Sequence, residues 1–149
     1  MSYLSTAQVQ AWLQKTKYKI SSVESDFEIM AKEYIFGQLS QRYDISLWTN
    51  GTNTPALVMH LLAMQVASYE LRRAGSEEDG RTTYADYLDK RVADMISGIL
   101  SGSTILIGVP EIDLGLGAGP EFFPAEGSEL LDPTDINFAP RYFTMGQLF

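Results

Sequence analysis

Along the first hundred residues apolar positions recur at spacings of three and four, the helical period, and beyond residue 101 they follow no period at all. The densest stretch is residues 54–75, TPALVMHLLAMQVASYELRRAG, whose first two turns are apolar on every side except for His60. Thr54 can cap this helix, Pro55 suits its first position, and Gly75 suits the left-handed position just past its end. A helix apolar all round must be covered all round. The run is too short for a membrane span before Gln65, Glu70 and the pair Arg72 and Arg73 interrupt it, so the cover is protein. It is the central helix of a small bundle, covered by its own chain or in part by a neighbouring subunit.

Three more helices surround it in the sequence. Residues 6–14 form a short one, capped by Ser5 or Thr6, with Val9, Trp12 and Leu13 on its apolar face. Lys15, Lys17 and Lys19 follow at its end, where the helix dipole favours cations; they are either solvated or a partner site. A second helix runs from Ser22 or Ser25 to about Tyr43, with Ser25 and Glu28 at capping-box spacing. Phe27, Met30, Ala31, Tyr34, Ile35 and Leu39, continued by Arg42 or Tyr43, make its stripe. Gly37 interrupts it at roughly 1 kcal/mol relative to alanine, and is either a point of close helix approach or simply tolerated. Asn50 and Gly51 mark a turn, within a tiny hairpin or a packed connection. After the exposed GSEEDG loop a fourth helix spans residues 81–101, with Thr83 and Asp86 as a capping box and Tyr84, Leu88, Val92, Met95 and Ile99 as its stripe. The expected fold class is all-α: a four-helix bundle domain over residues 1–101, then a long, mostly irregular arm over residues 102–149.

The arm holds seven of the twelve glycines and five of the six prolines. STILIGV, residues 103–109, can form one strand; LGLGAGP is a joint. Aromatic residues nonetheless recur at Phe122, Phe123, Phe138, Tyr142, Phe143 and Phe149, which a mere linker would not carry. Fixing the last nine residues costs roughly 9 to 18 kcal/mol of backbone entropy. Burying Tyr142, Phe143, Met145, Leu148 and Phe149 contributes roughly 8 to 15 kcal/mol in the other direction. The near cancellation predicts a segment that orders only on a surface that also supplies hydrogen bonds.

Charge sharpens that division. Residues 1–101 carry twelve acids and ten bases, and residues 102–149 carry seven acids against Arg141 alone, so most of the net charge of -8 belongs to the arm. No clustered basic face for nucleic acid emerges from the sequence, and an acidic arm favours a basic partner surface. The chain has no cysteine, and its first residues lack the basic and apolar regions of a signal peptide, which reads as a soluble cytosolic product.

Candidate chemistry is sparse. His60 has no cysteine and no second histidine to make a metal pair, so it is a satisfied core histidine or one lining a subunit contact. No serine lies in a G-x-S-x-G elbow, and GLGAG precedes neither a helix nor a Lys-Ser or Lys-Thr pair, so it is no phosphate loop. Asp86, Asp89 and Asp94 with Lys90 and Arg91 read as surface ion pairs or, less simply, as carboxylates that bind a cation or do acid-base work. Arg72 and Arg73 favour the end of the central helix or hold an anion or partner. No enzyme, cofactor or metal is expected.

In order along the chain, these pieces resemble the head-tail connector (adaptor) proteins of tailed bacteriophages, especially a group related to a small structural protein of Mu-like phages. The matching positions are Tyr34, Leu39, Arg42 and Tyr43; then Pro55 leading an apolar helix that ends in Tyr69, Leu71, Arg72 and Arg73; then Tyr84, Asp86 and Leu88. The C-terminal pattern A-P-R-x-F with a later Leu and final Phe is matched by Ala139, Pro140, Arg141, Phe143, Leu148 and Phe149. The acidic stretch 111–135 has no counterpart in that pattern. The resemblance implies a virion structural protein made in the host cytoplasm and placed in the neck between capsid and tail. It implies a homo-oligomeric ring, commonly of twelve copies, that docks on the portal protein and offers a surface to a tail or neck protein. DNA passes through the ring without sequence-specific binding, and no membrane is involved. Phe122, Phe123, Phe138, Arg141, Tyr142, Phe143, Leu148 and Phe149 are the expected partner-binding residues. A tail-completion or stopper protein, or a regulatory protein-binding module, is the alternative.

Overall fold

A computed structural model describes residues 2–75 and 80–112. Four helices follow one another: α1 (Thr6–Leu13), α2 (Ser25–Leu39), α3 (Ala56–Ala74) and α4 (Arg81–Ser101), with a 3-10 turn over Gln14–Thr16 after α1. α3 is the centre, packed against α1, α2 and α4, and every residue from 61 to 68 is buried. The all-α bundle expected from the helical period is the fold observed, and α3 receives its cover from its own chain.

Local chemistry explains the helix ends. Ser5 and Gln8 form a reciprocal capping box at α1, the Gln8 amide donating to Ser5 Oγ and the Ser5 amide to Gln8 Oε1. The box expected between Ser25 and Glu28 is absent: Glu24 is the N-cap, without a side-chain bond. Glu28 instead turns inward, where its carboxylate accepts from Ser2 Oγ at 2.7 Å and from the Tyr3 amide, pinning the N-terminal segment to α2. Thr54 likewise does not cap α3; its hydroxyl donates back to the Asn50 carbonyl at 2.8 Å, and Pro55 takes the N-cap position with extended backbone. Gly80, not Thr83, is the N-cap of α4. Gly75 adopts the left-handed conformation expected of it, its amide donating to Leu71 O.

α2 ends at Leu39, four residues short of Tyr43, because Arg42 and Tyr43 are taken up by tertiary contacts described below. Its buried face is Glu28, Ala31, Ile35, Phe36 and Leu39, rotated from the expected stripe: Met30 is 50% exposed and Tyr34 40%. Phe36 packs edge-on between Tyr3 and Trp48, ring centroids 6.0 and 5.3 Å away. The Asn50–Gly51 turn is an Asx turn, Asn50 Oδ1 accepting from the Thr52 and Asn53 amides, and forms part of a packed connection. Gly51 is needed there, since a Cβ would lie 2.7 Å from the Tyr3 carbonyl oxygen. A Cβ at Gly37 would meet nothing within 4 Å among the described residues, so no described helix approaches it.

The compact unit runs to Ile112 rather than stopping at Ser101. Residues 103–109 make turns, with Leu106 buried and Ile105 and Ile107 exposed, in place of the expected strand. The only bridge among the described residues is antiparallel, Tyr43 with Glu111.

Candidate interaction surfaces

Arg42 organises the place where the chain leaves the helices. Its Nη1 donates to the carbonyls of Ile99 at 3.0 Å and Leu100 at 3.2 Å, satisfying acceptors that the end of α4 leaves open. Nε and Nη2 donate to Glu111 Oε1 at 3.1 and 2.7 Å. The hydrogen bond to Glu111 is the main reason the Arg42 pKa is raised. The backbone joins in, with the Ile112 amide donating to Arg42 O and the Asp44 amide to Pro110 O. Buried Tyr43 completes the contact, its hydroxyl accepting from the Leu106 amide at 3.3 Å. The root of the arm is thereby held to the C-terminal ends of α2 and α4. Gly102 allows this, at φ +85° with Arg42 Nη1 only 2.8 Å from where a Cβ would stand.

The arginines that end α3 are committed elsewhere. Arg72 Nη2 donates to Asp86 at 2.7 Å and also to Asp89, tying α3 to α4, while Gln65 Nε2 donates to Asp89 Oδ1 at 3.0 Å. Asp86 and Asp89 therefore form ion pairs, but with Arg72 rather than with Lys90 or Arg91. Arg73 reaches Glu24 on one side and Glu70 on the other, both at 2.9 Å. Glu70 is fully buried, and its Oε1 finds no hydrogen-bond partner among the described residues. Burial pushes its carboxyl pKa up, against the opposing pull of Arg73.

His60 is exposed rather than in the core, because the turn of α3 that carries it faces a groove beside α1. This groove, about 750 Å³, is lined by small and apolar residues such as Ala7, Ala11, Trp12, Met59 and Ala63. On the outer face of α2, Ile29, Met30 and Tyr34 are 40–50% exposed around Glu33 and Gly37. A different character marks the side where the 3-10 turn meets α4. There cations lie over rings: Arg91 over Trp12 at 5.6 Å, Lys15 over Tyr84 at 5.7 Å and Arg81 over Tyr18 at 5.1 Å.

Among the described residues no group of three His, Asp or Glu side chains could hold a metal ion, and no helix is long and apolar enough to cross a membrane. The residues expected to bind partners, Phe122, Phe123, Phe138, Arg141, Tyr142, Phe143, Leu148 and Phe149, lie outside the described residues. Sequence reading missed the cation–aromatic side, whose members come from α1, the turn after it and α4. Only the lysine run 15–19 signalled it. Comparison with protein-family models, with curated proteins and with solved structures finds no match.

Proposed function

We propose that this chain is a virion structural protein, a head-tail connector (adaptor) that forms a ring on the portal and joins capsid to tail around the DNA channel. The observation that carries the reading is the root of the arm. Arg42 and Tyr43, two of the positions that carry the resemblance, are the residues that clamp residues 106–112 to the helices. That these two positions fix the chain just past α4 supports the reading, since a connector whose arm reaches a partner needs the root of that arm held. The exposed apolar face of α2, centred on Met30 and Tyr34, supports the homo-oligomeric part, since a ring subunit needs lateral apolar surface.

Native mass spectrometry and negative-stain microscopy, first of the protein alone and then with a candidate portal protein, test the reading. Rings, or a collar bound to the portal, are expected. A strictly monomeric protein that ignores the portal overturns it. Deleting residues 138–149 is expected to abolish docking while leaving the helical circular dichroism unchanged.

A further inference from the structure

We infer that residues 105–112 form a strap that leaves the helices as one unit, with the Arg42–Glu111 ion pair as its latch, while residues 102–104 stay on α4. The destinations of the hydrogen bonds make the first argument. The Thr104 amide and the Ser103 hydroxyl both donate to the Gly98 carbonyl at 3.0 Å, so these two residues close the end of α4 and belong to it. Beyond them, every hydrogen bond and ion pair that leaves residues 105–112 goes, among the described residues, to Arg42, Tyr43 or Asp44. The Leu106 amide donates to the Tyr43 hydroxyl, the Ile112 amide to Arg42 O, and the Asp44 amide to Pro110 O. Attachments to three consecutive residues are made and lost together. The strap also carries a turn of its own, with Gly108 at φ +78° and the Val109 amide donating to Leu106 O, so it moves as a formed piece.

It is thinly held. Within it only Leu106 is buried and Val109 half-buried, while Ile105 and Ile107 are 64% and 93% exposed. Its charged contact lies at the surface, the Arg42 and Glu111 side chains being 25% and 51% exposed, and such a pair is screened by salt. Opening strands no polar group, because the Arg42 carbonyl, the Asp44 amide and the Tyr43 hydroxyl exchange the strap for water. Arg42 keeps Nη1 on the Ile99 and Leu100 carbonyls, so the end of α4 stays capped and the break falls between Arg42 and Glu111.

The closed strap is the ground state and fixes the start of everything after Ile112. Open, it adds the span of residues 105–112 to the reach of the arm, about 26–29 Å when extended. Raised salt, or a partner that draws on the arm, shifts the balance toward the open form. The inference does not rest on the adaptor reading, because it concerns the bundle alone.

Native-state hydrogen exchange of the full-length protein, read by NMR, tests it. The amides of Asp44, Leu106 and Ile112 are expected to share one opening constant, at least about tenfold larger than that of the buried α3 amides. Their exchange should also depend on denaturant far less than exchange in α3, because opening the strap exposes little surface. Raising salt from about 0.05 to about 0.5 M should speed all three by one factor, about two- to fivefold. Glu111→Gln should speed all three equally and remove the salt response, with circular dichroism unchanged. Leu106→Ala should speed the Asp44 and Ile112 amides by roughly tenfold or more, although neither bonds to that side chain. Three different opening constants, exchange no faster than in α3, or a Glu111→Gln effect confined to Ile112 would overturn the inference.

Discussion

Glu70 is the residue whose placement departs most from what its chemistry prefers. Its carboxylate is fully buried with one oxygen unpartnered among the described residues, and the guanidinium that holds the other oxygen, that of Arg73, is half exposed. Burial holds its pKa above the ordinary 4.5, so from pH 4.5 up to the raised value the folded protein binds more protons than the unfolded chain. Stability therefore falls as pH rises through that window, and below it the penalty is absent because both states are protonated. Glu70→Gln should remove this fall, so that wild type loses stability relative to the variant as pH rises above 4.5 in urea unfolding. Parallel stability curves would contradict it. Arg73→Ala should do the reverse, leaving the Glu70 carboxylate without its counter-charge and steepening the loss of stability as pH rises. At the same scale, Arg42 reads from sequence as a helical position and as part of the resemblance, and what it caps could not be inferred because its partners stand 57 to 69 residues away.

Among the elements, the same residue type has opposite consequences on two helices. Gly37 lies inside α2 with open space where a Cβ would go, so Gly37→Ala should stabilise the fold by about 0.5–1 kcal/mol through backbone entropy. Gly102 ends α4 in the left-handed region with Arg42 against it, so Gly102→Ala should destabilise by about 1–2 kcal/mol. Chemical denaturation of the two variants checks both signs. If Gly37→Ala were to weaken ring formation while stabilising the isolated chain, the outer face of α2 would be identified as a subunit contact. Helix existence and order were legible in the sequence because period and end signals are local. The rotation of α2 was not: Phe27, Met30 and Tyr34 compete with Phe36 for the core, and the aromatic contact with Tyr3 and Trp48 decided for Phe36.

For the whole molecule the boundary matters most. Leu106 is buried, Glu111 pairs with Arg42, and Tyr43 bonds the Leu106 amide, so the chain past α4 is part of the bundle up to Ile112. Truncation after Ile112 should leave the thermal midpoint of the bundle nearly unchanged, whereas truncation after Ser101 should lower it by several degrees, for a loss of about 2–3 kcal/mol in burial and hydrogen bonding. Equal midpoints would show that residues 102–112 contribute nothing. The sequence by itself determined the helical class, the central helix with its proline-led start and glycine-marked end, and the split between a nearly neutral body and an acidic C-terminal third. Those properties are sums over neighbouring residues and need no knowledge of the fold. Only the tertiary structure decided that α3 is covered by its own chain, that His60 faces out, and that Arg42 fastens the exit of the arm. It also decided that Lys15 and Arg91 meet rings while Arg72 takes the aspartates. These outcomes depend on which distant side chains arrive at the same place, and three- and four-residue spacing carries no information about that.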